Sequence, residues 1–180
     1  MDLKRHMAAY PVPWIALGVS ILMLAGAHAF ENFGGLEPCP LCLRQREAHW
    51  VAAGISLVIL AATWREALQP WRLALMVGLV AAYVVSTGIA GYHVGVEQKW
   101  WDAPTSCATN TADTISLSDM LERLQHRAAT PSCDNIPWSF LGLSMAAYNM
   151  LFSLGLAALA AFAFRPYLPL YRPGKDAPST

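Results

Sequence analysis

The sequence is poor in charge. Of its 180 residues, 13% are Asp, Glu, Lys or Arg, about half of the roughly 25% carried by an ordinary soluble domain. That is too little to cover the surface of a water-soluble globule. The 12 basic and 12 acidic residues cancel, so the chain lacks the electrostatic footprint of a nucleic-acid binder. Apolar residues make up 56%, which excludes an intrinsically disordered chain. No internal repeat is visible, and the length suits a single domain spanning 1–180. What remains is a small polytopic membrane protein.

Four apolar runs approach the roughly 20 residues that a helix needs to cross a bilayer. They cover about 10–30, 48–64, 71–92 and 140–164. Backbone polar groups in lipid must be satisfied within the segment, so each run is expected to be a helix. Trp14, Trp50, Trp64, Trp71, Tyr92, Trp138 and Tyr167 sit near the ends of these runs, where amphipathic rings prefer the headgroup level. The expected fold is an all-α membrane protein, an antiparallel four-helix transmembrane bundle. Four crossings return the chain to its starting side. Both termini and the tight 65–70 connection therefore share one face, with Lys4, Arg5, Arg65, Arg72, Arg165, Arg172 and Lys175. The larger loops, about 31–47 and 93–139, hold Arg44, Arg46, Lys99, Arg123 and Arg127 over many more residues. Basic residues near span ends favour the cytoplasm, which puts both larger loops outside.

Lys4-Arg5, the apolar run 14–24 and the small residues 25–29 also resemble a secretory signal. Because the apolar stretch continues through Phe30, the expectation is an uncleaved first span. Small residues recur every four positions at Gly78, Ala82, Ser86 and Ala90, and at Ser153, Ala157 and Ala161. Such spacing lets helix backbones approach closely in lipid. Ser116–Ala129 reads as a short amphipathic helix, opened by Ser116 with Asp119 and stopped by Pro131. It would lie on the membrane surface or pack on its own loop. The Pro-rich stretch 166–180 reads as an extended end.

All four cysteines fall in the two outside loops: Cys39 and Cys42 in the first, Cys107 and Cys133 in the second. Disulfides are permitted there if the outside is periplasm or its equivalent. Cys39-Pro40-Leu41-Cys42 stands where the second helix should begin, and a helix N-terminus favours a thiolate. Arg46 lies four residues after Cys42 and so shares its helical face. Arg44 does not share it, and is expected to snorkel. A zinc site with strong spacing would show two Cys-x-x-Cys pairs, and here there is one. A c-type haem needs His after the second Cys, where Leu43 stands. Two static disulfides in a membrane scaffold remain a rival. Against them, a bridge over so short a step is strained and easily reduced, which suits exchange. If both pairs exchange, the chain is an electron relay, and a lipid-soluble acceptor such as a quinone suits a pair at the membrane surface.

Pro38-Cys39-Pro40-Leu41-Cys42-Leu43-Arg44-Gln45-Arg46 resembles the first-loop motif of the DsbB family, bacterial inner-membrane proteins of disulfide bond formation. The second loop, with Cys107, Cys133 and Trp138-Ser139-Phe140-Leu141-Gly142-Leu143-Ser144-Met145, is similar to that family too. The resemblance covers nearly the whole chain and implies cytoplasmic termini and two periplasmic loops. It implies a thiol oxidase that re-oxidises a periplasmic DsbA-like dithiol protein and passes the electrons to ubiquinone or menaquinone. Cys107 would form the mixed disulfide with the partner, freeing Cys133 to attack Cys39. Cys42 would become the thiolate beside the quinone, with Arg46 stabilising its charge. A DsbI-type or vitamin K epoxide reductase-like enzyme with another thiol partner is the alternative. Many members carry His where Asn32 stands; His28, one turn earlier, either substitutes or is merely interfacial. His93 and Glu97, four residues apart, either form a proton route or simply solvate the span end.

Overall fold

The structure, a computed structural model, describes residues 11–64, 71–104, 107 and 132–164. The first ten residues, the 65–70 connection, the 116–129 segment and the 166–180 stretch lie outside the described residues. Four helices carry the fold: α1 (Pro11–Asn32), α2 (Pro40–Trp64), α3 (Arg72–Glu97) and α4 (Met145–Phe164). A two-stranded hairpin, β1 (Ser139–Phe140) and β2 (Leu143–Ser144), precedes α4. α1, α3 and α4 are long and apolar enough to cross a membrane. α2 is as long, but its first three turns carry Arg44, Gln45, Arg46, Glu47 and His49.

Three boundaries differ from the apolar runs, each for a local reason. α2 starts about two turns early, because Cys39 acts as its N-cap: its Sγ accepts the Cys42 backbone N–H at 3.2 Å. Pro40 occupies the first helical position, where its missing N–H is no loss. α3 runs one turn past Tyr92, to Glu97. The chain then reverses through Lys99, at φ 58, and Trp101 folds back onto the helix. Its indole N–H donates to the Tyr92 carbonyl at 2.9 Å, and its ring stacks on that of Tyr92. Gly95 makes this possible, since any Cβ there would run into the Trp101 indole. The fourth run does not start as helix at 140. Leu141 (φ 51) and Gly142 (φ 78) both adopt left-handed backbone, the requirement of a tight two-residue hairpin turn. Ser144 then caps α4 by accepting the Ala147 N–H at 3.2 Å.

Cross-helix contacts fix the packing. Glu31 and Ala27 of α1 meet Arg46 of α2, and Ser20 meets His49. Gln45 meets His93, and Ile55 lies against Gly78. Glu97 meets Ser144, and Ser86 meets Ser153. Along each neighbouring pair the numbers rise on one helix as they fall on the other. Ala16, Ala52, Ile59, Leu79, Tyr83, Leu156 and Ala157 form the core among all four helices. The outward faces are also apolar, with Leu22, Leu57, Val84, Leu154 and Phe162 exposed, as expected where the surrounding solvent is lipid. The small-residue stripes pack as anticipated at Ser86, Ala90, Ser153 and Ala157, all buried. Ala161 is exposed instead. A strict repeat of four drifts about 40° per step around a helix of 3.6 residues per turn, and by Ala161 it has left the buried face.

Candidate active site

The helix starts and ends described above converge at one end of the fold. There Cys39 is buried, and its Sγ lies 2.7 Å from that of Cys42. At this separation a bond between the two sulfurs closes with little backbone motion. Cys107 and Cys133 are joined in a disulfide, with Cα atoms 5.4 Å apart. Cys133 is fully buried, and its Sγ, the Cys39 Sγ and a ring nitrogen of His93 all lie within 4.8 Å of one another. The two cysteine pairs, more than 60 residues apart in sequence, thus meet around one imidazole. These three groups have metal-ligand character. The Cys133 sulfur, however, is bonded to Cys107 and has no thiolate to offer a metal.

The surroundings treat the two sulfurs of the first pair differently. The Cys42 thiol donates to the Cys39 sulfur and, with the His93 ring and the Cys42 backbone N–H, holds the Cys39 thiol far below its usual value despite burial. Cys42 is pushed up by that neighbouring anion and by burial, with Arg46 offsetting only part. In the dithiol form the favoured thiolate is therefore on Cys39, the sulfur at the helix N-terminus.

Cys39, Cys42, Arg46, His49, His93 and Glu97 open onto a cavity of about 400 Å³. The rest of its wall is mostly apolar, including Leu22, Met23, Gly26 and Met145. Phe30, Trp138, Phe140 and Tyr148 form an aromatic group at its rim, with Phe30 and Trp138 ring centroids 5.2 Å apart. A mostly apolar pocket with a few polar groups on one side is the usual form of a small-molecule site. Arg46 shares it with Cys42, but its guanidinium is paired with Glu31 and also donates to the Ala27 carbonyl at 3.2 Å. Arg44 points away and pairs with Glu47 on the surface.

Two open readings resolve here. His93 and Glu97 are buried at the sulfurs, 3.9 Å apart, and do not solvate a span end. His28 instead bonds its own helix at the Leu24 carbonyl, and Asn32 bonds the His28 carbonyl. Neither lines the cavity. Sequence reasoning missed Glu31, Gln45, His49, Ser144 and Asn149. Gln45 and His49 are four apart on the helical face of the site, and Asn149 is the lone amide of an otherwise apolar span. Polar side chains inside spans carry that signal.

Two cysteine pairs brought together at the end of a membrane bundle, one opening onto an apolar cavity, define a membrane thiol–disulfide oxidoreductase. Comparison with known proteins narrows this. The profile of the family described as Disulfide bond formation protein DsbB matches residues 10–163. Relatives named Disulfide bond formation protein B include one from Xylella fastidiosa, 33% identical over 76% of this chain and 79% of the relative. Another, from Xanthomonas campestris pv. campestris, is 36% identical over 78% and 81%. A third, from Psychrobacter, is 32% identical over 69% and 72%. The chain belongs to the DsbB family of disulfide bond formation proteins.

Proposed function

We propose that this chain, as one domain over 1–180, is an antiparallel four-helix bundle of the bacterial inner membrane, with cytoplasmic termini and both cysteine loops periplasmic. Its activity is the re-oxidation of a periplasmic DsbA-like dithiol protein, with electrons leaving to ubiquinone or menaquinone. The observation that carries this reading is the meeting of the Cys133 and Cys39 sulfurs within 4.8 Å, beside a cavity that Cys42 also lines. A partner thiolate attacks Cys107, breaks its bond to Cys133 and leaves the electron pair on Cys133. The Cys133 thiolate attacks Cys39 in the oxidised first pair. A Cys133–Cys39 bond forms, the Cys39–Cys42 bond breaks, and the pair of electrons moves to Cys42. The partner's second thiolate attacks its own sulfur in the bond to Cys107, releasing oxidised partner and leaving the electron pair on Cys107. The Cys107 thiolate then attacks Cys133, the Cys107–Cys133 bond re-forms, the Cys133–Cys39 bond breaks, and Cys39 and Cys42 are left reduced for the acceptor to re-oxidise.

The cavity fits a flat quinone headgroup, with Cys42, Arg46, His49 and His93 on its polar side and the apolar α1 and α4 residues opposite. A quinone bound there supplies a lipid-soluble acceptor for two electrons and two protons. Arg46 offsets negative charge on Cys42, and the apolar wall keeps water from the sulfurs. In a direct test, purified protein is supplied with a reduced DsbA-like dithiol protein and a soluble ubiquinone analogue, and the loss of quinone absorbance is followed. Wild-type protein should turn over, and Cys42→Ser should insert and fold but lose turnover. Equal turnover in Cys42→Ser would overturn the relay.

A further inference from the structure

A chain of buried amides and hydroxyls runs through the bundle to the sulfurs, and its hydrogen bonds have one direction. Ser153 on α4 donates to Asn149 Oδ1 at 3.2 Å, and His49 Nε2 lies 2.7 Å from the same oxygen. Asn149 Nδ2 donates to Gln45 Oε1 at 2.6 Å. With its oxygen committed there, Gln45 presents its NH₂ group to His93 Nδ1, 2.9 Å away. An amide nitrogen only donates, so Nδ1 is the acceptor and the proton of the neutral ring sits on Nε2. That nitrogen stands 3.7 Å from Cys39 Sγ and 3.9 Å from Glu97 Oε1. Gln45, His49, His93, Asn149 and Ser153 are all buried, so water does not compete for these bonds. Neither Asn149 nor Ser153 touches a sulfur.

We propose that Gln45 and Asn149 are positioning residues that hold His93 with its Nε2–H toward the sulfurs, where it stabilises the Cys133 thiolate as that sulfur attacks Cys39. This rests on the relay proposed above and assigns new residues to one of its steps. The step itself is balanced within the chain: the Cys133–Cys39 bond forms, the Cys39–Cys42 bond breaks, and the electron pair passes from Cys133 to Cys42. His93 neither gains nor loses a proton overall. The reversed tautomer would present a bare Nε2 lone pair to an incoming anion and repel it. The titratable groups facing His93 are Cys39 and Cys42 from the start of α2, Cys133 from the second loop, and Glu97 on its own helix.

The test uses full-length protein depleted of quinone, so that it does not depend on acceptor chemistry. Oxidised protein is mixed with one equivalent of dithiothreitol, quenched in acid, alkylated, and scored for the Cys133–Cys39 bridge by peptide mass spectrometry across pH. Asn149→Leu should form the bridge about tenfold more slowly near neutral pH, a modest loss for a mispositioned catalytic donor. Its rate should recover at alkaline pH, where Cys133 ionises unaided. Nitrogen chemical shifts of ¹⁵N-histidine-labelled wild type should show Nε2 of His93 protonated and Nδ1 bare. This second measurement decides the matter even if Asn149→Leu does not fold. A protonated Nδ1 at neutral pH, or a wild-type rate and pH profile in Asn149→Leu, overturns the proposal. A wild type that forms no such bridge overturns the relay and this proposal together, whereas equal bridge formation in both proteins overturns this proposal alone.

Discussion

Raising the pH should lower the reduction potential of the Cys39–Cys42 pair at about half the slope of an ordinary dithiol. Cys39 accepts the Cys42 thiol and the Cys42 backbone N–H and lies beside His93, so its thiol is held well below the usual value of 9.0. Cys42, beside the resulting anion, is held above it. Between these two limits, reduction takes up two electrons and one proton, because only Cys42 is protonated in the product. A dithiol with ordinary thiols takes up two. Each proton coupled to a two-electron step contributes about 30 mV per pH unit. The expected slope is therefore about 30 mV per pH unit, against about 59 mV for the ordinary pair. The assay equilibrates quinone-depleted Cys107→Ala/Cys133→Ala protein in glutathione buffers between about pH 6 and 8, below the ordinary thiol range. Acid quenching and alkylation then score the oxidised fraction. A slope near 59 mV would refute the assignment of the anion to Cys39. The same depression makes the reduced protein's stability depend on pH. The contribution is full above the ordinary thiol value, declines as pH falls below it, and is lost once pH falls through the depressed one.

The N-cap separates structure from chemistry at Cys39. Cys39→Ser and Cys39→Ala should both abolish relay turnover, but only Ala should cost about 1 kcal/mol in denaturant unfolding, because a serine hydroxyl still caps. Equal stability of the two variants would deny the cap. Gly95→Ala should force Trp101 off α3 and cost roughly 1–3 kcal/mol, the range for overpacking. A blue-shifted or unchanged tryptophan emission with unchanged stability would contradict the close approach. Glu31→Gln should free the Arg46 charge. In a Cys39→Ser background, Cys42 should then react with iodoacetamide about twofold faster at fixed pH, a small gain because a solvent-exposed carboxylate restrains its partner only weakly. An unchanged rate would show that Glu31 does not restrain Arg46.

What was legible in the sequence followed from solvent and spacing. Apolar runs located α1, α3 and α4, because lipid demands continuous apolar side chains around a helix. The Cys39–Cys42 spacing and the position of Arg46 located the centre of the site, since residues three and four apart share a helical face. The helix ends were illegible from hydropathy, because they are set by individual groups: the Cys39 cap, the left-handed Leu141-Gly142 turn, and Trp101 folded over Gly95. The partners of the site were illegible too. Glu31 reaches Arg46 and Asn149 reaches Gln45 only after α1, α2 and α4 are packed. A lone Asn in an apolar run signals a function without naming its partner.

The placement of polar groups gives the bundle its direction. At the end away from the cysteines the core is Ala16, Ile59, Leu79 and Leu156. Toward the cysteines it changes to Ser20, His49, Ser86, Asn149 and Ser153, and then to Gln45, His93 and Glu97. Burying such groups costs free energy unless each finds a partner. Among the described residues only the Ser56 hydroxyl is a buried side-chain polar atom left without one. Hydrogen bonds between spans are worth only about 0.6 kcal/mol on average, so this network is a weak source of stability for its size. Its bonds lead from helix to helix toward one imidazole beside two sulfurs. A chain selected only for packing in lipid would fill these positions with Leu and Ala, as it does a few turns away. The polar end is better explained by the need to hold charge on sulfur next to a mostly apolar cavity.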